Sequence, residues 1–192
     1  TAGEYAIVVT DPLSFDTEPN DDAVNDALRS LTVTRTALGH LQEPLSGQVE
    51  PDDFAEDTVL DAAVAGVTLS NNMTGGSILA VTSGFTAPTG SRVFAPFTGL
   101  ASGFREGSNE FRADFDTDVM TVSVDAGSDD ASDVTRLRAF DADDILLAEV
   151  TSDTLATGTS ETLTITRETA DIAYIIAAGL GGDISPLDNL EF

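Results

Sequence analysis

From residue 52 onward, short apolar runs alternate with turn clusters at a spacing of roughly 8–12 residues, the rhythm of a β-sandwich. Val64–Ser70, Ser77–Thr82 and Ser91–Phe94 read as strands, separated by the turns Gly75-Gly76 and Pro88-Thr89-Gly90. Phe111–Phe115 alternates apolar and polar residues, the period of a half-buried strand. Val119–Val124 follows two residues after a short acidic turn. Val134–Phe140 and Ile145–Val150 flank the tight turn Asp141-Ala142-Asp143-Asp144 and predict a hairpin. Thr162–Thr166 alternates again. Ile172–Ala178 is nearly continuous and apolar, which suits a strand buried on both faces. Leu187–Phe192 closes the series.

The first fifty residues follow another pattern. Glu4–Thr10 reads as a strand ended by Asp11-Pro12, with Tyr5, Ile7 and Val9 as its apolar alternate set. A Pro-, Asp- and Asn-rich link follows. Val24, Ala27, Leu28 and Leu31 then fall on one face of a short helix, which Asn20 or Asp21 would cap. Leu31–Ala37, rich in Thr and Val, reads as a further strand. The expected organisation is an N-terminal arm over residues 1–50 and an all-β sandwich over residues 51–192.

Charge narrows the setting. The 192 residues contain no lysine, and 34 carboxylates face eight arginines and one histidine, for a formal charge of −26. Self-repulsion on that scale opposes the compact state unless salt or divalent cations offset it. Scattered carboxylates without lysine suit a halophilic or marine source, and calcium loading is the competing account. Nucleic acid and anionic lipid are excluded as partners, because the basic patches that neutralise phosphate are missing. No apolar run approaches the roughly 18 residues of a membrane-spanning helix, so membrane insertion is not expected. Cysteine is absent, which removes disulfides and thiolate chemistry. The opening Thr1-Ala2-Gly3-Glu4 is that of a processed secreted product or of a trimmed segment.

An ordered series of phrases resembles a family of secreted bacterial jelly-roll domains found in extracellular matrix proteins with PEP-CTERM-type sorting signals. Phe54-Ala55-Glu56-Asp57, Ala65-Gly66-Val67-Thr68-Leu69-Ser70 and Gly76-Ser77-Ile78-Leu79-Ala80-Val81 are similar to its opening strands. Ala113-Asp114-Phe115-Asp116-Thr117-Asp118-Val119 is similar to its central strand, and Asp188-Asn189-Leu190-Glu191-Phe192 to its closing one. Leu137–Asp144 resembles its hairpin phrase, with Asp144 where glycine usually stands. The resemblance implies a jelly-roll β-sandwich similar to carbohydrate-binding modules, at the cell surface or outside the cell. It also implies a structural calcium between the first and last strands, which points here to Glu56, Asp57 and Asp188.

The residues themselves offer further oxygen clusters. Asp114, Asp116 and Asp118 alternate, so on a regular strand they share one face and repel unless a cation intervenes. Asp129, Asp130 and Asp133 form a second group, and Asp141, Asp143 and Asp144 a third. None matches an EF-hand, and solvated acidic surface is the competing reading of each. His40 is the lone histidine, no Gly-x-Ser-x-Gly elbow occurs, and no carboxylate pair stands out for glycoside hydrolysis. A non-catalytic protein is expected.

Two roles then compete. In the first, the strand bearing Tyr5, Ile7 and Val9 is donated head-to-tail to the sheet edge of another copy, building a homopolymeric filament, sheath or matrix cemented by calcium. Pairing of that strand with its own sandwich is the plainer alternative. In the second role, the chain is a calcium-dependent carbohydrate-binding or adhesion module with a polysaccharide partner. Tryptophan is absent, which weakens sugar stacking; Phe94, Phe97 and Phe104 are the loop aromatics that would serve, and Tyr174 reads as core. Asn72-Met73-Thr74 is a glycosylation sequon with Asn72 as acceptor.

Overall fold

The computed structural model describes residues 47–85, 87–96 and 103–192. These form the expected all-β sandwich, two antiparallel sheets with one isolated 3-10 turn at Pro51–Asp53. The strands are β1 (Gln48–Val49), β2 (Thr58–Val59), β3 (Val67–Asn71), β4 (Leu79–Thr82), β5 (Arg92–Ala95) and β6 (Phe111–Val119). They continue with β7 (Thr121–Gly127), β8 (Thr135–Phe140), β9 (Leu146–Thr151), β10 (Ser160–Thr166), β11 (Ile172–Gly179) and β12 (Leu187–Glu191). One sheet runs β10-β7-β12-β5-β4-β2, with β1 added on β12; the other runs β3-β6-β11-β8-β9. The chain crosses repeatedly from one sheet to the other.

Alternation explains the core. Phe111, Ala113 and Phe115 of β6 point inward, as do Leu137 and Ala139 of β8 and Leu163 and Ile165 of β10. Phe94 and Phe104 lie against Phe111, with ring centroids 4.8 and 5.5 Å away. The strand β11 is central in its sheet and buried along nearly all of its length. Its inner residues Ile172 and Ile175 join the core, while Tyr174 on the other face is 7% exposed beneath neighbouring side chains.

In β12 a break in the alternation serves the core. Asp188 pairs with Asp125 and Glu191 with Ser123, so β12 carries one residue more than β7 between those points. This is a β-bulge, and Asn189 sits in it at φ 43°. The extra residue lets Leu187 and Leu190, three apart, both reach the core.

The predicted strands from Val64 onward correspond to β3 through β12, with ends displaced by a few residues. The two-residue strands β1 and β2 have no periodicity to reveal them. The anticipated Glu4–Thr10 strand, with Tyr5, Ile7 and Val9, lies outside the described residues, as do the helix around Val24–Leu31, the Leu31–Ala37 segment, His40 and Phe97. Among the described residues no helix is long and apolar enough to cross a membrane.

Candidate functional site

Among the described residues the first and last strands, β1 and β12, meet, and the meeting concentrates carboxylates. In the β1–β12 ladder Gln48 faces Glu191 and Val49 faces Leu190, which carries Glu50 toward Asp188. Glu50 then caps the one-turn helix Pro51–Asp53, its Oε1 accepting the Asp52 N–H at 3.2 Å. Proline at the first helical position loses no hydrogen bond there.

Asp188 is 0% exposed. Its Oδ2 accepts the Thr89 N–H at 2.9 Å and lies 2.7 Å from Thr89 Oγ1; its Oδ1 accepts the Asn189 N–H at 3.0 Å. The same Thr89 Oγ1 stands 3.2 Å from Glu50 Oε2. A hydroxyl has one hydrogen to donate. Two carboxylates therefore share a single hydroxyl donor, and a proton or a cation between them would relieve their mutual repulsion. Burial pushes the Asp188 carboxyl up to about 7, with the Glu50 charge adding to the rise against the opposing Thr89 and Asn189 hydrogen bonds. The donors here are all oxygen, which fits a hard cation such as calcium.

The neighbouring acids are satisfied. Asp52 accepts the Ser91 N–H, the Ser91 hydroxyl and the Arg92 N–H, and Arg92 Nη1 lies 3.6 Å away. Burial raises the Asp52 carboxyl, but those hydrogen bonds outweigh it and hold it below the ordinary value. Gly90 makes this wrap possible: it adopts φ +44°, and a Cβ there would lie 2.0 Å from Asp52 Oδ2. Glu56 accepts the Thr82 hydroxyl at 2.6 Å and the Thr82 N–H, with Arg92 Nε at 3.6 Å, and is held low by those contacts. Asp57 occupies a left-handed turn at φ 60°. Of the trio Glu56, Asp57 and Asp188, then, Asp188 comes to Glu50, while Glu56 goes to Thr82 and Arg92.

Asp114, Asp116 and Asp118 lie along β6. Arg112 grips Asp114 with two nitrogens, Nε at 2.8 Å and Nη2 at 2.6 Å, so protein charge already neutralises the first of the row. The β6–β11 register breaks between Asp114 and Val119, across the residues carrying Asp116 and Asp118. Among the described residues, the three carboxylates whose oxygens all lie within 4.8 Å of one another are Asp129, Asp130 and Asp133 instead. They occupy the β7–β8 loop. Asp129 is pushed up to about 6, first by burial and then by its contact with Asp133. Asp133 is also raised by burial, but hydrogen bonds from the Asp129 and Asp130 amides overcome this and leave it low.

Other sequence candidates are placed as follows. Phe94 and Phe104 are fully buried and give no sugar platform. Asn72 follows β3 in a turn tied by Asn71 Oδ1, and its side-chain amide donates to Glu110 Oε2 at 2.7 Å. A shallow pocket of about 410 Å³ is lined by Asn71, Thr74, Arg105, Ser108 and Asn109, with Pro96 and Ile184. Arg105 Nε is buried there without a hydrogen-bond partner. Neither Glu50 nor this pocket was marked by the sequence pattern. Glu50-Pro51-Asp52 has the form of a capped turn, the one local signal that would have drawn attention to Glu50.

No protein-family model matches the chain, and no curated protein matches its sequence. Solved structures share its shape loosely. The K1 cleaved adhesin domain of Lys-gingipain from Porphyromonas gingivalis W83 is 14% identical with a TM-score of 0.40, over 77% of this chain and 96% of that one. The Arthrobacter globiformis T6 isomaltodextranase, solved with panose, is 13% identical with a TM-score of 0.35, over 78% of this chain and 32% of that one. A family 6 carbohydrate-binding module is 10% identical with a TM-score of 0.29, over 75% of this chain and 90% of that one. At such identities and scores the likeness says nothing about what this chain binds.

Proposed function

We propose that this chain is a non-catalytic extracellular module of structural or adhesive type, whose first and last strands are clamped by calcium at Glu50 and Asp188. The observation that carries the reading is the buried Asp188 facing Glu50 across one Thr89 hydroxyl. A cation there would neutralise two carboxylates and tie the opening of the sandwich to its close. Glu56, Asp57, Asp114, Asp116 and Asp118 then serve as acidic surface. Thermal melting with calcium and with chelator tests the clamp, because an ion that binds only the folded state raises the midpoint. Equal midpoints overturn it.

The assembled form of this role is a filament, sheath or matrix built by donation of the Tyr5–Val9 strand from the 1–50 arm. Among the described residues, β3 pairs only with β6 and β9 only with β8, so each presents a sheet edge of the kind that accepts a strand. Electron microscopy decides between outcomes: fibres that vanish on deletion of residues 1–12 support assembly, and a strict monomer at high concentration overturns it.

A second reading, calcium-dependent carbohydrate binding, is favoured by the polar pocket around Arg105 and Asn109. Donors and acceptors of that kind suit sugar hydroxyls. Binding to one polysaccharide on a glycan array, lost on Arg105→Ala, promotes this reading; a blank array removes it.

A further inference from the structure

The β7–β8 loop, at residues 128–134, carries a second constellation that is separate from the Glu50–Asp188 pair. Asp133 is 0% exposed. Its Oδ2 accepts two loop amides, the Asp129 N–H at 2.7 Å and the Asp130 N–H at 3.2 Å. Its Oδ1 is buried with no hydrogen-bond partner. A buried carboxylate oxygen left unpaired is costly, because the water it gave up has not been replaced. That oxygen belongs to a side chain whose cluster partners, Asp129 and Asp130, bring their own carboxylate oxygens within 4.8 Å. Two oxygens at about 2.4 Å from one calcium ion can be separated by no more than about 4.8 Å, so the spacing of the three is compatible with one shared ion.

The loop is also preformed. Ser128 exchanges backbone hydrogen bonds with Thr159 and Gly158 at one end. At the other, the Asp133 carbonyl accepts the Leu155 N–H at 2.8 Å, and the Ser128 hydroxyl donates to the Asp130 carbonyl. Among the described residues no arginine pairs with this cluster: Arg92, Arg112, Arg136, Arg138 and Arg167 all pair with other carboxylates. A further acid adjoins the loop: Asp183, whose Oδ2 accepts the Val134 N–H at 3.3 Å. Three acids thus converge with neither a protein cation nor a sufficient set of donors.

We propose that the β7–β8 loop is a binding site for a divalent cation of the calcium class, with Asp129, Asp130 and Asp133 as its protein ligands and water completing the shell. All-oxygen donors without histidine or cysteine select a hard ion over zinc or copper. Calcium is favoured over magnesium because three fixed protein oxygens suit its larger, more flexible shell, whereas magnesium retains most of its water. Asp129 and Asp130 lie toward solvent and give the ion its entry, while buried Asp133 forms the floor.

The test is calcium titration by calorimetry on the full chain after chelator treatment, in at least 150 mM sodium chloride to suppress diffuse binding. The variants are Asp130→Asn, Asp133→Asn, Asp188→Asn and the surface control Asp143→Asn. The proposal expects Asp133→Asn to abolish one binding event and Asp130→Asn, an exposed change that spares the buried frame, to weaken the same event at least tenfold. Asp188→Asn and Asp143→Asn leave that event intact. Loss confined to Asp188→Asn overturns the loop site while sparing the strand clamp; loss confined to Asp130→Asn and Asp133→Asn does the reverse. Equal weakening by Asp143→Asn, or no binding event that Asp130→Asn changes, overturns the proposal.

Discussion

The ring of Tyr174 stacks on that of Phe140, with centroids 4.8 Å apart and planes 7° from parallel. Phe140 comes from β8, on one side of β11. From β6, on the other side, the Arg112 guanidinium lies 3.8 Å from the Tyr174 ring centroid. The Tyr174 hydroxyl donates to Asp144 at 2.9 Å. Among the described residues these side chains cover the outer face of the five-stranded sheet around Tyr174, which helps to bury the central strand there. Tyr174→Phe removes one hydrogen bond and is expected to cost about 1 kcal/mol. Tyr174→Ala also removes the stack and the cation–π contact, and is expected to cost about 3–4 kcal/mol. Urea denaturation measures both.

The Glu50–Asp188 contact predicts opposite signs with and without calcium. In chelator at pH 8, Asp188→Asn removes a like-charge repulsion and is expected to raise the melting midpoint. In millimolar calcium the same variant is expected to melt below wild type, because it has lost the clamp. Scanning calorimetry under the two conditions checks the crossover.

Proton linkage gives a third expectation. The folded-state value of Asp188, about 7, lies above its ordinary 3.8. Folded protein therefore holds the extra proton between those values, and stability from this group is full below about pH 4 and lost as pH rises toward about 7. The steepest slope for one group is about 1.4 kcal/mol per pH unit. The net charge of −26 adds its own pH dependence, so the informative quantity is wild type minus Asp188→Asn, measured in chelator from pH 4 to pH 8. A flat difference contradicts this account.

Gly90 and Asp52 form a coupled pair. Gly90→Ala places a methyl group against Asp52 Oδ2 at a positive φ, and is expected to cost about 2 kcal/mol or more. Asp52→Ala removes the hydrogen bonds to Ser91 and Arg92. The double variant is expected to cost less than the sum, because the collision disappears while the backbone strain stays. Additive losses in a denaturation series would show that the turn relaxes independently.

Most strands could be located from the sequence because alternation is a local signal. Phe111-Arg112-Ala113-Asp114-Phe115 shows its inward and outward faces on inspection, and the apolar run at Ile172–Ala178 announces a central strand. Asp144 was visible as a substitute for glycine, and it does adopt φ 63°, where an aspartate is tolerated and its carboxylate gains the Tyr174 hydroxyl. The site was less readable. Glu50 gains its meaning from pairing between the two ends of the sandwich, which no window along the chain contains. The acidic group at Asp129, Asp130 and Asp133 could be seen, but not that one of the three is sealed from water; that follows from the Leu155 bridge and the packing of the loop.

At the outer end of the β1–β12 ladder, Gly47 and Phe192 exchange backbone hydrogen bonds at 2.6 and 3.0 Å. Strands that run antiparallel away from such a point separate like a zipper when their ends are pulled apart, one hydrogen bond at a time, at low force. Glu50 and Asp188 stand a few rungs further in. An ion held between them would act as the stop on that zipper, so that calcium in the surroundings sets the tension at which the domain begins to open.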